Sequence, residues 1–286
     1  MIRLGRMRNL GVGRFINRGL NRFGLHILRV RRRRLSQFVL SPELEQETEI
    51  AYDMTQYESN DLRRYFLSNN DKTLHKWHHY FEIYDRWFSR FRSKTDLRIL
   101  EIGVSRGGSL RMWREYFHHD AVIVGIDIDS ECKIHESPDT KIFVEIGDQT
   151  DLLFLEYVVE RYGPYDIIID DGGHTTVQQI TSFNFLYSNA LTDDGIYFVE
   201  DLHTNYWPLF VDSEPSFIDF ARSLVDNLHE PYLDDHLIDY YAEGHPEQRR
   251  SMKVSRFCAN TRTISFHDSI IVFEKRKRSL PVVELR

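Results

Sequence analysis

Five short apolar runs between residues 97 and 200 each lead into a glycine or a carboxylate, and segments long enough for helices separate them. They are LRILEIG (97–103), AVIVGID (121–127), KIFVEI (141–146), DIIID (166–170) and GIYFVE (195–200). Strands of this length alternating with helices predict an α/β fold, a parallel sheet with helices on both faces. Ligands in such sheets bind at the carboxyl ends of the strands, near the point where strand order reverses. The chemistry-bearing residues of this chain collect at those ends.

At the first end, LEIGVSRGGSL carries Glu101, Gly103, Ser105, Gly107 and Gly108 in a turn that opens a helix. Glycine lets backbone approach a ligand and take positive φ without steric cost. The dinucleotide pattern G-x-G-x-x-G would need glycine where Ser105 stands, which disfavours a nicotinamide-dependent oxidoreductase. Asp127 closes the second strand, where this kind of sheet offers a carboxylate to ribose hydroxyls. Asp148 and Gln149 follow the third strand, where a helix N-cap is the plain reading of Asp148.

The fourth end, IIIDDGGHTTVQ (167–178), places Asp170, Asp171 and His174 together, and the fifth adds Glu200 and Asp201. Four carboxylates at two adjacent strand ends repel one another unless a cation gathers some of them. Oxygen donors favour Mg²⁺ or Mn²⁺ over zinc. His174, three residues past Asp171, is a candidate base, against the plainer role of a residue that starts a helix.

Hydrophobic residues make up 41% of the chain and charged residues 28%, the balance of a soluble protein. No apolar run approaches the roughly 18 residues of a membrane span. Cys132 and Cys258 lack metal-type spacing and favour a reducing compartment, so the expected location is cytoplasmic. The net charge of −7 conceals an asymmetry: residues 1–34 hold eleven arginines and no acid, which leaves 26 basic residues against 44 acidic ones elsewhere. The acidic body excludes a nucleic-acid surface, which depends on Lys and Arg neutralising phosphates.

In the basic tail, Ile16, Leu20, Phe23, Ile27 and Val30 share one helical face, opposite Arg14, Arg18, Arg22 and Arg29. Three readings fit: a helix lying in an anionic headgroup layer, a transit peptide, or a helix packed on its own domain. The chain therefore divides into a basic N-terminal segment (1–40), a helical or linker region (41–95) and a main domain (96–286).

Taken in order, DKTLHKWHHYFEIYDRWF, LEIGVSRGGSLRMW, VGIDID, DDGGHTTVQQITSFNFLYSNALTDDGIYFVEDLHTNYW and FHDSIIVFEK resemble the metal-dependent sugar O-methyltransferases that modify macrolide and other natural-product sugars. The resemblance covers roughly residues 70–275 and leaves out the basic tail. It implies a class I, Rossmann-like methyltransferase sheet closed by an antiparallel strand at FHDSIIVFEK, with S-adenosylmethionine (SAM) as methyl donor. It further implies SAM contacts from Glu101, Gly103, Ser105, Gly107, Asp127, Asp148, Gln149 and Asp170, Mg²⁺ on Asp171 and Asp201, and His174 as general base. Gly173 stands where the family pattern leads one to expect serine or a similar small residue. A catechol O-methyltransferase or a noncatalytic SAM-binding scaffold would share much of the pattern. The sugar, the hydroxyl and the oligomeric state stay open at this level, as does contact with a membrane through residues 1–34.

Overall fold

The computed structural model describes residues 46–233 and 251–282, with Ser41, Leu44 and the pairs 238–239 and 247–248. The predicted basic helix at 1–34 lies outside the described residues. The chain divides into two compact units, Met1–Ala51 and Tyr52–Arg286, and the fold is that of the second.

Two helices, α1 (Asp61–Ser68) and α2 (Tyr80–Phe88), precede the sheet. Then β1 (Arg98–Ile102), α3 (Gly108–Tyr116), β2 (Val122–Asp127), β3 (Ile142–Ile146), α4 (Leu152–Tyr162), β4 (Tyr165–Asp170), α5 (Thr176–Asn189) and β5 (Leu191–Val199) follow in turn. Helix α6 (Phe217–Leu228), helix α7 (Arg256–Asn260) and the strands β6 (Thr261–His267) and β7 (Ile270–Lys275) complete the domain. The seven strands lie in the order β3-β2-β1-β4-β5-β7-β6. Strands β1 to β5 run parallel, while β7 lies antiparallel to both β5 and β6.

The sheet is buried on both faces, and the side-chain alternation of its strands sorts the core into two layers. Ile99, Ile123, Ile167 and Phe198 face Phe81, Tyr84 and Phe88 of α2 and Leu110 and Trp113 of α3. Leu100, Val124, Ile168 and Tyr197 face Leu155 of α4, Phe183 and Leu186 of α5 and Phe217 of α6. Local signals set the helix starts. Asp151 accepts from the backbone N–H groups of Leu153 and Phe154, and Thr175 with Gln178 forms a reciprocal capping box on α5.

Two expectations need adjustment. The closing element is a hairpin rather than one strand, because Asp268 and Ser269 turn the chain between β6 and β7. Strand β5 begins at Leu191, four residues early, since exposed Asp193 and Asp194 hide its start from an apolar pattern.

Candidate active site

Strand order reverses between β1 and β4, whose last paired residues are Ile102 and Asp170. Gly103, immediately beyond, has φ +95°, and a Cβ there would strike the Asp171 carbonyl oxygen. Only glycine lets the two strand ends come this close. Gly107 (φ +74°) then starts α3, with the His135 ring packed where its Cβ would be. Ser105 is also left-handed, at φ +47°. Its N–H and that of Val104 donate to Asp127 Oδ2 at 2.9 and 2.8 Å, and Asp129 N–H donates to Oδ1 at 2.9 Å. Burial pushes the Asp127 carboxyl up, but these backbone donors outweigh it and hold the group below its ordinary value. Asp127 is thus an ionised, half-buried acceptor beside the turn.

Asp148 does not cap α4, which is Asp151's role; its Oδ1 accepts from the backbone N–H and the hydroxyl of Thr150, at 2.7 and 2.9 Å. Gln149, Asp170 and Glu101 are buried and engaged inside the protein. Gln149 donates to Asp170 at 3.2 Å and accepts from Gly173 N–H at 3.0 Å, while the Ser182 hydroxyl donates to Asp170 at 2.6 Å. Glu101 accepts from the Ser109 hydroxyl at 2.9 Å and the Trp113 indole at 3.1 Å. Their polar atoms are thus committed to protein partners. Burial pushes Glu101 up to about 7.

The remaining predicted residues converge. Asp171, His174 and Asp201 each offer a ligand atom, and those atoms lie within 4.8 Å of one another. His174 Nε2 is 3.6 Å from Asp201 Oδ2 and 3.9 Å from Asp171 Oδ1, and its buried Nδ1 has no hydrogen-bonding partner. His174 (φ +59°) and Asp201 (φ +54°) both sit in left-handed backbone, strain that tends to persist at functional sites. Glycine at 173 has a local reason: the Gln178 side chain of the capping box fills the space a Cβ would take.

Residues that sequence reasoning did not assign complete the cluster. Lys76 is buried and places Nζ 2.5 Å from Asp171 Oδ2 and 2.6 Å from Glu200 Oε2. Burial alone would depress its ammonium; the two carboxylates more than compensate and hold its pKa well above the ordinary value. Part of the cation needed by the clustered acids is therefore this lysine. Glu200 is fully buried, and burial pushes its carboxyl up against the opposing pull of the Lys76 ammonium 2.6 Å away. The Tyr80 hydroxyl donates to Asp201 Oδ1 at 2.6 Å and lies 2.9 Å from Ser269 Oγ in the hairpin turn. Tyr80 is a buried core aromatic apart from its hydroxyl. The run of polar residues around Lys76 carries no signal that this one is buried.

No protein-family model matches the chain. The methyltransferase MycE of the mycinamycin pathway, solved with Mg, SAH and mycinamycin VI, superposes with a TM-score of 0.61 at 29% identity, over 76% of this chain and 54% of that one. Demethylmacrocin O-methyltransferase of Streptomyces fradiae is 38% identical over 187 residues, 61% of this chain and 45% of the relative. The 8-demethyl-8-alpha-L-rhamnosyl tetracenomycin-C 2'-O-methyltransferase of Streptomyces olivaceus is 33% identical over 217 residues, 71% of this chain and 52% of the relative. The chain spans about half the length of the curated relatives it matches. Fold and strand-end cluster thus define a class I methyltransferase scaffold. Within that class, the chain is similar, over the spans given, to sugar O-methyltransferases of macrolide and tetracenomycin pathways.

Proposed function

We propose that this protein is a SAM- and divalent-metal-dependent O-methyltransferase acting on a hydroxyl of a sugar carried by a natural product or glycan. The observation that carries this reading is the convergence of Asp171, His174 and Asp201 beside the glycine turn at the strand-order reversal. The donor set fits a hard cation: two carboxylates, with an imidazole beside them whose buried Nδ1 is unpartnered. Asp171 and Asp201 would hold Mg²⁺ or Mn²⁺. Gly103, Ser105, Gly107 and Asp127 would hold SAM at the turn, with Asp148 at the adenine end and Glu101, Gln149 and Asp170 fixing the cleft around them.

When bound, the ion supplies Lewis acidity toward an acceptor hydroxyl and SAM supplies a methyl group already activated by its sulfonium. His174 Nε2 faces the space between the two carboxylates and would take the hydroxyl proton as the methyl carbon passes from the SAM sulfur to that oxygen, the C–S bond breaking as the C–O bond forms and SAH leaving. Lys76 and Tyr80 hold Asp171 and Asp201 in place, so the acceptor is oriented by fixed groups. Incubation with labelled SAM, Mg²⁺ and a panel of glycosides, read by product mass, tests the assignment. Methylated catechols without methylated glycosides would replace the sugar by a catechol, and no transfer to any hydroxyl would remove the reading.

The basic segment supports a separate proposal. Eleven arginines with no acid in residues 1–34 suit an anionic surface, where each contributes about 1 kcal/mol. The protein would then be a cytoplasmic enzyme held peripherally at a membrane. No described helix is long and apolar enough to cross one. Sedimentation with phosphatidylserine vesicles should be lost on deleting residues 1–34, and equal sedimentation with and without them would remove this proposal.

A further inference from the structure

The metal-type cluster is bordered by a continuous run of aromatic rings. His203, two residues after Asp201, has its ring 5.6 Å from Trp77 and 4.6 Å from Trp207, meeting them at 78° and 65°. Phe210 extends the run, 6.1 Å from Trp207 and 6.2 Å from the ring of His174. Trp77 and Trp207 are each 49% exposed. Among the described residues no protein acceptor meets either indole N–H. Large aromatic groups left side by side in water mark a binding surface more often than chance exposure.

This rim is fixed to the cluster by covalent and hydrogen-bonded connections. Trp77 follows Lys76, which pairs with Asp171, and precedes Tyr80, which hydrogen-bonds Asp201. His203 Nδ1 lies 2.7 Å from Ser269 Oγ, the same hydroxyl that approaches Tyr80. Any ligand seated on the rings therefore stands in a set relation to His174.

We propose that Trp77, His203 and Trp207 form the subsite that selects the acceptor, taking the C–H face of a pyranoside ring while one of its hydroxyls points to His174. A pyranoside has two kinds of surface: hydroxyls around its edge, and a face of polarised C–H groups that the negative face of an aromatic ring attracts. One edge hydroxyl points to His174 beside the cluster, the indole rings cover the face, and the half-exposed indoles can donate to ring or glycosidic oxygens. This inference deepens the proposed function and rests on it for the identity of the acceptor.

The test is equilibrium binding without turnover. Intrinsic tryptophan fluorescence of the protein with SAH and Mg²⁺ is followed as methyl α-L-rhamnopyranoside, methyl α-D-glucopyranoside or catechol is added. A glycoside should change the emission of the wild type. Trp77→Ala and Trp207→Ala should each weaken that binding about ten-fold, as expected for loss of one aromatic face, while Trp→Phe at either site retains most of it. Unchanged SAH affinity, measured by calorimetry, checks that the variants are folded. Glycoside binding undiminished in both alanine variants, no glycoside binding by the wild type, or tighter binding of catechol than of either glycoside would overturn the subsite. Methyl transfer is scored separately: transfer to glycosides with undiminished affinity in the tryptophan variants removes the subsite alone, whereas rim-dependent binding with no transfer removes the methyltransferase reading alone.

Discussion

The ammonium of Lys76 lies 2.5 Å from a carboxylate oxygen of Asp171, and the same nitrogen lies 2.6 Å from Glu200. One side chain from the segment before α2 thus joins the ends of β4 and β5. Removing one partner of a buried ion pair leaves an uncompensated charge, at a cost of about 3–5 kcal/mol. Lys76→Met should lower the urea midpoint accordingly, and adding Glu200→Gln should recover part of the loss. A double mutant no more stable than Lys76→Met would show that the lysine and Glu200 are not coupled in solution.

Divalent-ion binding should depend on both strand ends. Asp171→Asn with Asp201→Asn should abolish high-affinity Mn²⁺ binding, measured by electron paramagnetic resonance, and should also abolish turnover. Chelator should silence the wild type and Mg²⁺ restore it. Full activity of metal-stripped enzyme would contradict the assignment of these two carboxylates.

If His174 is the proton acceptor, His174→Ala should keep SAM affinity and lower kcat by roughly 10²–10⁴-fold. The alternative is that His174 only shapes the start of α5. In that case His174→Asn, which tolerates the left-handed backbone at φ +59°, should turn over near the wild-type rate. Single-turnover kinetics with saturating SAM separates the two outcomes.

Burial places Glu101 at about 7, well above the ordinary 4.5. Below pH 4.5 the folded and unfolded states both hold the proton. As pH rises toward 7 the unfolded chain releases it first, so this residue's contribution to stability falls, by about 3 kcal/mol across the window. Glu101→Gln keeps an acceptor for the Trp113 indole and removes the titration. Relative to wild type, the variant should gain about that much between pH 4.5 and pH 8 in urea unfolding. A pH-independent difference would mean that Glu101 stays ionised in the fold.

The sequence alone determined the sheet and the position of its cleft. Apolar runs of strand length, the glycines at 103 and 107, and acids at all five strand ends are local features, and local backbone preference turns them into strands, a tight turn and exposed ends. The α5 start at Thr175 and Gln178 belongs with them, because a capping box is complete within four residues. Tertiary structure decided which polar side chains face the cleft. Asp170 and Asp171 are neighbours in sequence, yet Asp170 turns inward to Gln149 and Ser182 while Asp171 meets Lys76. Lys76 and Tyr80 reach the cluster from far upstream, and His203 and Trp77 become ring neighbours only when β5 and the segment before α2 pack together. Such contacts leave no periodicity behind, since nothing in a local run of residues records what will be packed against it from a distant part of the chain.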